Sequence, residues 1–149
     1  ISEKDYQTAY AAKQNITKDQ RKKLSGTILL AEDNEINREI AVRILNEFGL
    51  AVVCAENGEQ AVRIFQEAEP DSFRTILMDL QMPILNGYEA AEKIRNMNRS
   101  DSSSIPIFAL TADAFTEAAA RCTKAGMNGQ ILKPIDPAQL YETLQKTSG

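Results

Sequence analysis

The sequence predicts an α/β fold built on a doubly wound, five-stranded parallel sheet, and three observations predict it. Short apolar runs alternate five times with segments of helical periodicity, the runs are apolar throughout rather than at every second position, and acidic, hydroxyl and lysine residues directly follow several of them. A strand with apolar side chains on both faces needs cover on both, which a parallel sheet flanked by helices supplies.

The strand runs are Thr27 to Ala31, Leu50 to Cys54, Thr75 to Met78, Ile105 to Leu110 and Gly129 to Leu132. After the first run, Ile36, Ile40, Ile44, Leu45 and Phe48 recur at helical spacing, and Gly49 supplies the residue that leaves a helix most readily in the left-handed conformation. Further helices are expected over Gly58 to Glu67, Gly87 to Met97, Asp113 to Ala125 and Asp136 to Gln145. The last opens with Asp136 as cap, Pro137 in the first turn and Gln139 behind it. Asn86 and Gly87 read as turn and cap chemistry, and Met78, Met82 and Met97 as packing. The resulting architecture is a flavodoxin-like (βα)5 sheet with strand order 2-1-3-4-5.

Composition narrows the function. A chain of 149 residues, 43% hydrophobic and 26% charged, supports one globular core with an appendage rather than two full domains. Residues 1–24, polar and ending in Arg21, Lys22 and Lys23, read as a linker or partly helical lead-in, and residues 25–149 as the domain. A net charge of -4 and a pI near 5.0 provide no basic footprint for direct binding to nucleic acid. The absence of histidine excludes Ser/His and Cys/His nucleophilic systems, and any phosphohistidine must come from elsewhere. Cys54 and Cys122 lie in apolar or alanine-rich stretches without metal-site spacing, and read as buried, reduced thiols. No apolar run spans a bilayer and no secretory signal opens the chain, so a cytoplasmic segment without membrane contact is expected. The first residue is isoleucine, the expectation for a piece of a longer polypeptide.

The chemistry lies at the strand ends. Glu32 and Asp33 follow the first strand, Asp79 the third, Thr111 the fourth and Lys133 the fifth. In an open α/β sheet these carboxyl ends converge on a crevice at the topological switch point. Three carboxylates gathered there repel one another unless a hard cation such as Mg²⁺ takes their oxygens. Lys133 adds a compact positive charge and Thr111 a hydroxyl, both suited to phosphoryl oxygens. Taken singly, each has a plainer role: Asp33 or Asn34 could cap a helix, Asp79 could open a turn, and Lys133 could be a solvated lysine before proline.

The segments ILLAEDNEINREIAVRIL, ILMDLQMPILNGYEA, ALTADA and ILKPID resemble the receiver domains of response regulators, most of all those attached to hybrid sensor histidine kinases, over roughly residues 26–146. The resemblance implies that Asp79 accepts a phosphoryl group from a histidine. It further implies that Glu32, Asp33, Asp79 and the backbone carbonyl of Gln81 hold Mg²⁺, with Mn²⁺ able to substitute, and that Thr111 and Lys133 contact the phosphoryl oxygens. The implied partners are a histidine kinase domain or a histidine phosphotransfer protein. The domain then promotes its own phosphorylation without being a free-standing enzyme, inside a parent sensor kinase. A cis peptide between Lys133 and Pro134 is expected by the same resemblance. The family carries an aromatic residue three positions before the lysine, where this chain has Gln130, a departure that suits a relay receiver. Two other readings compete. An aspartyl-phosphate phosphatase would need a second acid-base carboxylate and a lid, for which the short loops leave no room, and a silent adaptor would not need the complete acidic cluster.

Overall fold

In the computed structural model of the chain, residues 22–112 and 116–147 are described, Thr116 by its backbone alone. The elements alternate: β1 (Thr27–Ala31), α1 (Glu35–Glu47), β2 (Ala51–Ala55), α2 (Gly58–Glu67), β3 (Thr75–Asp79), α3 (Gly87–Arg95), β4 (Ile107–Thr111), α4 (Thr116–Lys124), β5 (Gly129–Leu132) and α5 (Pro137–Lys146). All pairings are parallel and the strand order is β2-β1-β3-β4-β5, as expected. The expected start of the fourth helix at Asp113, and most of the lead-in, lie outside the described residues.

Successive residues of the central strands feed opposite cores. Leu29, Ala31, Ile76, Met78, Ile107 and Ala109 pack with Phe65, Ala90, Ile94 and Cys122 from α2, α3 and α4. Ile28, Leu30, Leu77, Phe108, Leu110 and Ile131 pack with Ala41, Leu45, Leu140, Tyr141 and Leu144 from α1 and α5. Residues 22–24, expected in the lead-in, are tied to this second face: Tyr141 donates to the Lys22 carbonyl at 2.8 Å, and the Leu24 N–H to the Phe48 carbonyl at 2.8 Å.

The caps match the sequence. Asn34, Asn57, Asn86 and Asp136 each accept a backbone N–H in the first turn of the following helix, and Asn86 with Glu89 completes a capping box. Of the two candidate caps for the first helix, Asn34 takes the role, which leaves Asp33 free of it. Met78 and Met82 are buried, and Met97 packs against the same core.

Three expectations need correction. Buried strands were expected throughout, yet β2 is an edge strand and Val53 and Cys54 are exposed on it, so only Cys122 of the two thiols is buried. The stripe from Ile36 to Phe48 was expected to face the core as one, yet Ile36 is 67% and Ile40 50% exposed. The buried face is centred on Ala41, Leu45 and Phe48, and at 100° per residue Ile36 lies about 140° around the helix from Ala41. Finally, β2 and β4 sit one and two residues later than their apolar runs begin, because the parallel ladder pairs Ala51 with Thr27 and Ile107 with Ile76.

Candidate functional site

The carboxyl ends of β1, β3, β4 and β5 open into one cleft of about 610 Å³. Glu32 and Asp33 follow β1, Asp79 closes β3, Thr111 closes β4 and Lys133 follows β5, and all five line the cleft. Their register is held by backbone hydrogen bonds: Glu32 N–H to Ala55 O at 3.0 Å, Leu80 N–H to Leu110 O at 3.2 Å and Lys133 N–H to Thr111 O at 2.8 Å. The peptide between Lys133 and Pro134 is cis, as expected.

Glu32 is 1% and Asp79 6% exposed, while Asp33 is exposed at the rim. One carboxylate oxygen from each of Glu32, Asp33 and Asp79 lies within 4.8 Å of the others, a spacing that suits oxygen ligation of a hard divalent cation. The Lys133 ammonium donates to both Glu32 oxygens at 3.2 and 3.0 Å and to Asp79 Oδ2 at 3.1 Å. Asp79 Oδ1 accepts the Gln81 N–H at 3.1 Å. Gln81 lines the cleft as well. Arg38 from α1 donates to the Glu32 carbonyl at 2.8 Å and so occupies a backbone acceptor beside the carboxylates.

One lysine does not balance this cluster. Burial, followed by the contact with Asp79, raises the Glu32 carboxyl to about 7, with Lys133 offsetting part of the shift. For Lys133, burial alone would lower the pKa, but Glu32 and Asp79 outweigh it and raise it, so the ammonium stays charged.

Close packing against Asp79 adds a second reason for Gly87, which the sequence suggested as turn and cap chemistry. It is the first residue of α3, its N–H donates to the Leu80 carbonyl at 3.1 Å, and a Cβ there would overlap the Asp79 carbonyl oxygen. Gln130 is half-buried, and its amide donates to the buried Cys122 sulfur at 3.5 Å. Sequence reasoning missed Tyr88 and Arg121, which also line the cleft. They come from different helices, so no local spacing links them.

Among the described residues no helix is long and apolar enough to cross a membrane. The family model for the response regulator receiver domain matches residues 28–145. Probable histidine kinase 4 of Oryza sativa subsp. japonica is 35% identical over 144 residues, covering 85% of this chain and 14% of the relative. Hybrid signal transduction histidine kinase I of Dictyostelium discoideum is 36% identical over 119 residues, covering 78% of this chain and 7% of the relative. The chain therefore spans a small part of the length of these kinases.

Among solved structures, the receiver domain of a sensor histidine kinase from Pseudomonas aeruginosa PAO1, crystallised with magnesium coordinated in its active-site cleft, superposes with a TM-score of 0.74 at 36% identity, over 83% of this chain and 97% of that one. A Saccharomyces cerevisiae co-crystal of a histidine phosphotransfer protein with the receiver domain of its downstream response regulator matches with a TM-score of 0.75 at 30% identity, over 83% of this chain and 89% of that one. With the fold, the strand-end cluster and these likenesses in agreement, the chain belongs to the receiver domains of the response regulator family.

Proposed function

We propose that Asp79 accepts a phosphoryl group from a phosphohistidine, and that the domain, residues 25–149, either switches conformation or passes the group onward before the label hydrolyses. The observation that carries this reading is the Asp79 carboxylate at the base of the cleft, with one oxygen on the Gln81 N–H and the other on Lys133. A carboxylate nucleophile yields an acyl phosphate, a mixed anhydride that water or a second acceptor can discharge. Lys133 compensates charge on the transferring group and Thr111 offers its hydroxyl to a phosphoryl oxygen, so positioning and electrostatics suffice without an acid-base pair.

The carboxylates of Glu32, Asp33 and Asp79, joined on the family resemblance by the Gln81 carbonyl, suit Mg²⁺, with Mn²⁺ as a substitute; when bound, the ion would supply charge neutralisation for the phosphoryl oxygens. The magnesium in the bacterial receiver supports this assignment. The partners on this reading are a histidine kinase domain or a histidine phosphotransfer protein, as in the yeast co-crystal. The parent is a hybrid sensor histidine kinase, residues 1–24 are a linker or partly helical lead-in, and the segment works in the cytoplasm without touching nucleic acid. Gln130, bound to Cys122 where the family carries an aromatic residue, fits relay rather than an aromatic readout.

Acetyl phosphate with Mg²⁺ should raise the intact mass by a single phosphoryl group. Asp79→Asn should take none, and labelling of that variant to the extent of the parent would overturn the assignment.

A further inference from the structure

The cleft holds a second cation that phosphoryl acceptance at Asp79 does not use. Arg121 of α4 places its guanidinium carbon 4.0 Å from the centroid of the Tyr88 ring on α3, and both residues line the same cleft as Asp79. Lys133 is already engaged with Glu32 and Asp79. The Arg121 guanidinium, in contrast, takes no carboxylate partner among the described residues; Glu117, one turn earlier on the cleft wall, does not pair with it. Stacking on a ring fixes the guanidinium plane and leaves its in-plane N–H donors open to an anion, which they can grip in pairs. The other charged residues of the wall, Glu32, Asp33, Asp79 and Glu117, are acidic, so Arg121 and Lys133 supply its attraction for an anionic donor.

We propose that Arg121, held on Tyr88, captures the anionic phosphoryl group of the incoming donor at the mouth of the cleft and so sets the preference for donors with free phosphoryl oxygens. This inference rests on Asp79 being the acceptor. In the transfer that follows, an Asp79 oxygen forms the bond to phosphorus while the donor's P–N bond breaks, and the electron pair leaves on an imidazole nitrogen that takes a proton from solvent. With acetyl phosphate, the P–O bond breaks and acetate leaves. Arg121 neither gives nor takes a proton in either case. It acts on encounter and orientation, so its effect belongs in the rate of capture and not in the lifetime of the product.

The test compares the parent with Arg121→Ala, Arg121→Gln, Arg121→Lys and Tyr88→Leu, using acetyl phosphate under saturating Mg²⁺. Three quantities are measured: the second-order rate constant of labelling, the loss of label after donor removal, and the Mg²⁺ concentration giving half the maximal rise in melting temperature. The neutral variants should label roughly threefold to fivefold more slowly, the range expected of one solvent-exposed charge pair. Arg121→Lys, which keeps the charge but not the stacked fork of donors, should fall between the parent and the neutral variants, and Tyr88→Leu should lose part of the rate. The parent's rate should fall with salt more steeply than that of Arg121→Gln, while label lifetime and Mg²⁺ midpoint stay at the parent's values. Parent-like labelling in both neutral variants overturns the proposal. So does a joint change in rate, lifetime and Mg²⁺ midpoint, which would make Arg121 a structural brace. A parent that takes no label removes the acceptor assignment and this inference with it, whereas a labelled parent with unaffected variants removes the inference alone.

Discussion

Two sites with buried carboxylates, at opposite ends of the sheet, treat the same electrostatic problem differently. At the amino end, in the connection from α3 to β4, Asp101 is 4% exposed and meets a full complement of donors. Arg99 reaches its two oxygens at 2.7 and 3.3 Å, and the Asp71 N–H adds a bond at 2.9 Å. The guanidinium in turn donates to the Phe65 and Gln66 carbonyls and lies 4.4 Å from the Phe65 ring centroid. Burial alone would raise the Asp101 carboxyl, but these donors outweigh it and hold the carboxyl below its usual value. At the carboxyl end, Lys133 faces Glu32 and Asp79 with Asp33 in reach, and Glu32 is pushed up. Burial is common to both clusters. Balance is not, and the unbalanced end is the one proposed above to take a cation and a phosphoryl group.

The largest effect expected from this contrast is at the balanced end. Asp101→Ala leaves Arg99 without its carboxylate in a largely buried setting, which should cost about 3 kcal/mol of stability. Urea denaturation would measure the loss, and labelling of Asp79 per folded molecule should remain at the parent's value. A small loss accompanied by impaired labelling would mean that the two ends are not independent.

At the unbalanced end, removing a carboxylate should do the opposite. Like charges about 5 Å apart at an effective dielectric near 20 repel by roughly 3 kcal/mol, and after allowance for Lys133 and solvent Asp33→Ala should gain on the order of 1 kcal/mol in chelator. In the parent, Mg²⁺ at a hundred times its dissociation constant should stabilise by about 2.7 kcal/mol, because it binds the folded cluster and not the dispersed chain. That response should shrink in Asp33→Ala and persist in Asp101→Ala. Thermal melts with chelator and with millimolar Mg²⁺ check all three proteins, and equal responses in the parent and Asp33→Ala would remove these carboxylates from the metal site.

The contrast also separates what could be read from the sequence from what could not. Glu32, Asp33, Asp79, Thr111 and Lys133 were legible because each sits at the end of an apolar run, and a parallel sheet brings all such ends to one edge. The caps at Asn86 and Asp136 were legible because capping is local. What escaped depends on rotation and on neighbours far away in the chain. Helical periodicity placed Ile36 and Ile40 on the same stripe as Leu45 but could not show where around α1 the sheet would press. The exposure of Cys54 follows from β2 being an edge, which strand order determines and the run AVVCA does not. Arg99 with Phe65 and Arg121 with Tyr88 join separate elements and leave no pattern in either one.

The smallest signal is a pair of opposite slopes with pH. Glu32 rises in the folded protein from its ordinary 4.5 to about 7, so the folded state holds the proton more tightly than the unfolded chain between those values. Its contribution to stability is fully present below 4.5 and is lost as pH rises to about 7. Asp101 is shifted down from 3.8, so its contribution is present above that value and is lost as pH falls through the lowered one. In chelator, Glu32→Gln should therefore flatten the decline from 4.5 to about 7 and leave the acid limb unchanged. Asp101→Asn should soften the acid limb and leave the neutral decline in place. Mg²⁺ and the proton compete for the same Glu32 oxygens, so half-saturation should need several times more Mg²⁺ at about pH 6 than at about pH 8. Denaturation midpoints across pH, with and without Mg²⁺, decide the matter. A neutral decline that survives in Glu32→Gln would place the titrating group elsewhere, and the charge imbalance of the cleft could then no longer be assigned to that buried glutamate.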